Sequence, residues 1–175
     1  AVDLGGLGYN EAQNGRIFAI IGIAGIITQG VLIGPLSRRF GPAKLLPVSC
    51  LITGLGLVLI PYTKADWALA QLFLVVVLIA VGNGIFQPTS SSLLTSIAKR
   101  EGVNLGLVMG TQESVSSFAR IFGPLTGGVV WTFTVSRGWP LDYHTAFHLC
   151  GIMMLFAALL SMKVNKFADN HLEES

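Results

Sequence analysis

Five long stretches almost free of charge follow one another along the chain, and they restrict it to a fold that lives in lipid. Residues 17–36, 45–63 and 67–98 contain no Asp, Glu, Lys or Arg, residues 145–162 contain none either, and residues 105–133 hold only Glu113 and Arg120. A bilayer core about 30 Å thick is crossed by roughly 20 apolar residues in helical form. Lipid offers the backbone no hydrogen-bond partner, so each crossing must satisfy its own peptide groups, which a helix does. The expected fold is an all-α polytopic bundle with crossings over 16–36, 44–63, 67–96, 104–133 and 144–163. Residues 1–15 are expected to form an extracytoplasmic loop and 165–175 a polar, loosely ordered cytoplasmic tail.

Composition narrows the function classes. The chain is 52% hydrophobic and 11% charged, whereas soluble domains run near 25% charged. A net charge of +2, with the basic residues dispersed among loops, argues against a nucleic-acid partner. There is no Gly-x-Ser-x-Gly, no Walker loop and no Cys-x-x-Cys, so neither an enzyme nor a cofactor is expected. Cys50 and Cys150 fall in different crossings at opposite depths and read as packing residues. His144 and His148 stand four apart near Asp142; two imidazoles and one carboxylate are too few donors to assign a metal, which leaves an interfacial role or a proton sensor. The sequence opens Ala1-Val2-Asp3 with no initiator Met, basic start or apolar leader, and is expected to be cut from a longer polypeptide.

Loop charge gives an orientation. Arg38, Arg39, Lys44, Lys99, Arg100, Lys163 and Lys166 collect on one side by helix parity, and the positive-inside rule makes that side cytoplasmic. The other side keeps Arg16, Lys64 and Arg137 beside Asp3, Glu11, Asp66 and Asp142. Tyr9, Tyr62, Trp67, Trp131, Trp139 and Tyr143 map to that outer interface, where amphipathic rings prefer to lie. The expected placement is a cell (inner) membrane, amino end outside and carboxyl end in the cytoplasm.

Small residues mark helix contacts. Gly22, Gly25, Gly30 and Gly34 recur in the first crossing; Gly106, Gly110, Gly123 and Gly127 recur in the fourth. Such spacing lets helix backbones approach closely. Gly-Pro-Leu occurs at 34–36 and again at 123–125, with Pro124 in the second copy. The two copies fall at opposite membrane faces, as an inverted repeat would place them; the alternative is that Gly-Pro merely ends two helices. Pro88 is expected to bend the long third crossing.

The segment from Gly34 through Leu36, Arg38, Arg39 and Gly41 to Lys44 resembles the cytoplasmic loop motif of the major facilitator superfamily, Gly-x-Leu-x-Asp-Arg-x-Gly-Arg-basic. Gly34, Leu36, Arg39 and Gly41 fit; Arg38 stands at the acidic position, and Pro42 and Ala43 replace basic residues. Residues 82–88 resemble the fourth helix of that family's second half, residues 110–128 its fifth helix in drug:proton antiporters of the tetracycline-efflux type, and residues 8–15 the outer loop before the second helix. The resemblance implies helices eight to twelve of a twelve-helix transporter, the carboxyl-terminal half short of its first helix. It also implies a missing amino-terminal half as partner, a drug-like small molecule as substrate and a proton as coupling ion.

The residues themselves focus any mechanism on the fourth crossing. Glu113 and Arg120 are about two helical turns apart and project from nearly one face. A charge at mid-bilayer costs about 2.5–3.5 kcal/mol on insertion scales, so neither should face lipid. Ser116 and Ser117 lie between them; Gln112 adjoins; Asn83 and Gln87 are one turn apart on the third crossing; Gln29 stands in the first. Such a stripe suits a wet cavity, with Arg120 holding an anion or a gating pair and Glu113 exchanging a proton. The plainer reading is packing: Arg120 on neighbouring carbonyls, Glu113 near headgroups or Lys99, the amides in interhelical hydrogen bonds. A uniporter or symporter of a small metabolite, and a non-transporting sensor or scaffold, share the same pattern.

Overall fold

The computed structural model describes residues 10–63, 68–135 and 142–173, and every regular element among them is helical. Helix α1 is Glu11–Ile27. It opens on a reciprocal cap: Asn10 Oδ1 accepts the Gln13 N–H at 2.9 Å while Gln13 Oε1 accepts the Asn10 N–H at 2.8 Å. A wider π-turn, Thr28–Leu32, joins it to α2, Ile33–Leu59, which ends in a tight turn at Ile60–Tyr62. Then come α3, Ala68–Arg100, α4, Leu105–Val135, and α5, Tyr143–Glu173.

Where a cytoplasmic loop was expected around residues 37–44, helical backbone continues almost unbroken. Its interruption is a single residue, Gly41, at φ 75° and ψ 157°. That region is open to glycine alone, and Pro42 follows with its ring pre-set to start a helix. Residues 33–40 and 42–59 are thus two helices meeting at Gly41. The α3–α4 connection is equally short. Gly102, at φ 65°, turns the chain while the Val103 N–H reaches back to the Ala98 carbonyl at 3.0 Å. Asn104 Oδ1 then accepts the Leu107 N–H at 3.2 Å and caps α4. The polar tail, expected to be loosely ordered, continues α5 as helix to Glu173. Its Ala, Leu, Lys and Glu are strong helix formers.

Three stretches among the described residues are long and apolar enough to cross a membrane: Glu11–Tyr62, Ala70–Arg100 and His144–Lys163. The first has 52 residues, about 78 Å of helix at 1.5 Å per residue, and the break at Gly41 divides it. Helix α4, with Glu113, Arg120 and many Ser, Thr and Gly, is long but does not reach the same apolarity. Segment 1–9, and with it Asp3 and Tyr9, lies outside the described residues, as do Lys64, Asp66, Trp67, Arg137, Trp139 and the side chains of Tyr143 and Lys166.

The core is built on α2, α3 and α5. Leu45, Val75, Val76 and Ile85 are buried with the smaller Cys50, Ala80, Ala98 and Ala158, and with Ser49, Thr53 and, from the π-turn, Thr28. Each of these three hydroxyls donates to a carbonyl of its own helix: Thr28 to Ala24 at 2.7 Å, Ser49 to Leu46 at 2.7 Å, Thr53 to Ser49 at 2.9 Å. The hydroxyls are thereby buried without an unmet partner. Glycine makes the close approaches. A methyl group added at Gly82 would strike Thr53, one at Gly84 would meet Thr28 Cγ2 at 2.9 Å, and one at Gly54 would meet the Gly151 carbonyl at 3.2 Å.

Those are not the glycines whose spacing suggested contact. A Cβ at Gly22, Gly25, Gly30, Gly34, Gly110, Gly123 or Gly127 meets nothing within 4 Å, and one at Gly106 meets only Asn104 Oδ1. Periodic glycine shows that one face of a helix is flat; it does not say which neighbour covers it. Helix α3 runs through Pro88 as one element. The next residue, Thr89, is buried, and its hydroxyl has no hydrogen-bond partner among the described residues.

Candidate functional site

Helix α4 holds the only charged residues expected inside a crossing, and they meet. Arg120 Nη1 lies 3.5 Å from Glu113 Oε1. Residues seven apart return to nearly one face of a helix, and two long side chains close the axial gap between them. The pair is open: Arg120 keeps 65% and Glu113 67% of its side-chain surface. No other described helix of this chain covers it. Around it α4 is apolar, with Val115, Phe118, Ile121 and Leu125 all exposed and the Phe118 and Phe122 rings stacked at 4.2 Å.

Along the same helix Ser116 is half-buried and Ser117 exposed, and the Ser114 hydroxyl donates to the Gly110 carbonyl at 2.8 Å. Gln112 does a different job. Its Nε2 donates to Ser91 Oγ at 3.2 Å, a hydrogen bond between α4 and α3. Nearby, Thr95 on α3 approaches the Met109 sulfur at 4.0 Å. The amino-terminal part of α4 is therefore fastened to α3 by side chains.

Asn83 and Gln87 are exposed on α3. Neighbouring Gly82 and Gly84 instead face inward, against Thr53 of α2 and Thr28 of the π-turn. Gln29 is exposed in that same π-turn. The Thr28–Gly84 contact sets the π-turn at the level of Asn83. Among the described residues, Gln29, Asn83 and Gln87 and the α4 pair are all exposed.

In the segment resembling the family loop motif, Leu36 is half-buried while Gly34, Arg38, Arg39 and Lys44 are exposed. The Arg39 guanidinium stands 5.6 Å from the Phe40 ring centre. Gly41 breaks the helix here, and its positive φ gives that position its reason for being glycine. Pro124 sits inside α4.

A groove of about 380 Å³ runs between α1 and α3, lined by Ile17, Ile20, Ala70, Leu72, Phe73 and Val76 among others. It is apolar throughout and contains none of the polar residues singled out in the sequence. Among the described residues no group of three or more His, Cys, Asp or Glu is arranged to hold a metal, and Cys50 and Cys150 are free thiols.

Comparison with known proteins agrees with the family resemblance. The sequence model of the Major Facilitator Superfamily matches residues 3–172. Multidrug resistance protein 2 of Bacillus subtilis is 25% identical over 155 residues, covering 89% of this chain and 35% of that protein. Tetracycline resistance protein, class G, of Vibrio anguillarum is 28% identical over 133 residues, 75% of this chain and 32% of that protein. Dipeptide and tripeptide permease A of Erwinia pyrifoliae is 26% identical over 167 residues, 94% of this chain and 32% of that protein. The chain thus spans about a third of the length of these relatives. No solved structure matches it.

Proposed function

The chain belongs to the major facilitator superfamily, a family of membrane transporters and not of enzymes, and we propose that it is the carboxyl-terminal half, short of its first helix, of a proton-coupled exporter of small drug-like molecules. In this reading its five crossings rock against an amino-terminal half around a cavity near the membrane midplane. Relatives named for multidrug and tetracycline resistance favour export.

One observation carries the mechanism: an acid and a base on α4 pair with each other at 3.5 Å while both stay about two-thirds exposed among the described residues. In hydrocarbon such a pair would be expensive, and parting it more so. Facing a wet cavity between two halves, it has a use. A proton taken by Glu113 removes the negative partner and frees the Arg120 guanidinium for an electron-rich group of the substrate. Loss of that proton restores the pair and displaces the substrate. Asn83, Gln87, Gln29, Ser116 and Ser117 supply neutral hydrogen-bonding groups to the same space. Protons moving inward release about 2.3 kcal/mol per charge per 100 mV, enough to drive uphill export.

The test is Glu113→Gln in the full-length transporter, assayed in everted membrane vesicles. Drug accumulation driven by a pH gradient should fall at least tenfold at equal protein abundance, while exchange of drug against drug persists. Undiminished gradient-driven accumulation removes Glu113 from the coupling step. A second reading, uptake of a small peptide-like metabolite with protons, is favoured by the permease relative that matches along 94% of the chain. Gradient-driven peptide uptake into right-side-out vesicles, with no drug flux in everted ones, would select it.

A further inference from the structure

Four residues with no part in that mechanism meet where the end of α2 reaches the start of α5. Tyr62 closes the turn after α2, and its hydroxyl lies 3.1 Å from Nε2 of His148. Its ring stacks on His148 at 5.6 Å and tilts against His144 at 5.4 Å, centre to centre. The two imidazoles, one turn apart on α5, are themselves 6.1 Å apart. Asp142 accepts the His144 backbone N–H at 3.0 Å and faces the ring nitrogen Nδ1 at 2.9 Å.

Hydrogen-bond chemistry makes the two histidines unequal. A carboxylate only accepts, so Nδ1 of His144 carries the hydrogen there. When His144 is an imidazolium, Asp142 faces its charge at 2.9 Å. His148 has a phenol as its partner, which donates or accepts but brings no charge. A proton on His148 therefore places a second cation 6.1 Å from the His144 ring, with a neutral phenol as its own hydrogen-bond partner. Among the described residues the neighbouring helices bring no further charge to the junction. Helix α4 presents Trp131 edge-on to Phe147 at 6.2 Å, and its ionisable groups, Glu113 and Arg120, lie about three turns or more deeper. Residues 70–86 of α3 have none, and the end of α2 contributes Tyr62 alone.

We propose that Asp142, His144, Tyr62 and His148 form a proton-binding site at the α2–α5 junction, closed while it holds no more than one proton and opened by a second. The second proton comes from solvent and resides on His148. The new imidazolium swings away from His144 and gives up the Tyr62 hydroxyl, which ties the end of α2 to α5. The junction thus responds to acidity on the side where this end of the bundle lies. The site needs no transport mechanism and stands or falls apart from the Glu113 proposal.

Leu59 and Leu149 are exposed on either side of the junction and can carry nitroxide labels as Leu59→Cys and Leu149→Cys, in the full-length protein with its native cysteines replaced by alanine. Distances are read by electron–electron resonance in liposomes at pH 8 and pH 5. The expected result is one narrow distribution at pH 8 that broadens and lengthens at pH 5. His148→Gln, which keeps a hydrogen-bonding group but takes no proton, should stay narrow at both. Tyr62→Phe, which keeps the ring and loses the hydroxyl, should be broad at both. An unchanged distribution in the unsubstituted junction overturns the proposal without recourse to any variant, and so does opening of His148→Gln at pH 5.

Discussion

Gly54 of α2 and Gly151 of α5 face each other so closely that a methyl group on either would lie 3.2 Å from the other's carbonyl oxygen. The contact is reciprocal, and backbone cannot retreat as a side-chain tip can. At Gly151 the added methyl would also strike Val58, whose branched side chain has little rotamer freedom inside a helix. Gly151→Ala is expected to destabilise by about 1–3 kcal/mol, the usual range for overpacking, despite alanine's better helix propensity. Thermal unfolding of the full-length protein in detergent would show it; a melting point equal to or above that of the parent would mean that α2 and α5 are not held at this distance.

That contact also shows where sequence and structure part. The apolar runs located the helices because each must bury or face lipid along its whole length, and the charges of α4 stood out against that background. Pairing was another matter. The most regular glycine series, at Gly22 to Gly34 and Gly106 to Gly127, meets nothing among the described residues except Asn104 beside Gly106, while Gly54, Gly82, Gly84 and Gly151 make the close contacts. A glycine's role depends on the residue opposite, here Thr53 for Gly82 and Thr28 for Gly84, and spacing along one helix carries no record of its neighbour. Gln112 illustrates the same point: the sequence left its amide between a cavity lining and an interhelical hydrogen bond, and the packing of α4 on α3 gives it to Ser91. The position of Tyr62 beside His148, 86 residues away, was equally invisible, because only the packing of α2 on α5 brings them together.

The Glu113–Arg120 pair should behave as a unit. Removing one partner leaves the other without its countercharge in a mostly apolar helix. Arg120→Gln is therefore expected to lower the amount of protein in the membrane several-fold. Glu113→Gln combined with Arg120→Gln should restore much of that loss, since no uncompensated charge remains. Membrane abundance of the two single and the double variant, measured by immunoblot, closes the cycle. A double variant as depleted as the sum of the singles would show that the two side chains do not interact in the membrane.

Asp142 gives a pH dependence with a definite sign. Desolvation pushes its carboxyl upward, but the hydrogen bonds from the His144 ring and backbone and the imidazolium charge outweigh it, so that the group titrates below its ordinary value of 3.8. A carboxylate whose folded value is depressed adds stability that is present above the unfolded value. That stability is lost as pH falls through the lower, folded one. The protein should therefore hold this contribution from neutrality down to about pH 4 and lose it in more acid solution. In Asp142→Asn that part of the acid dependence should vanish. Carbon NMR of the labelled carboxyl group in the full-length protein reads the titration directly, and a midpoint above 3.8 would mean that desolvation outweighs the His144 contacts.

Gly41 carries the last prediction, because the path of the chain between two crossings rests on it. Its φ of 75° and ψ of 157° lie where a Cβ is not accommodated, although the space around it is empty, with nothing within 4 Å of an added methyl. The penalty for Gly41→Ala is therefore conformational and not steric crowding by neighbours, about 1–3 kcal/mol. Two escapes are open to the variant: it keeps the break and absorbs the strain, or it turns helical at residue 41 and straightens a stretch too long for one bilayer. Either lowers stability, whereas Pro42→Ala, which leaves the glycine in place, should cost less. Melting temperatures of the two variants beside the parent decide the matter; Gly41→Ala melting with or above the parent would mean that the break lies elsewhere in the 52-residue stretch.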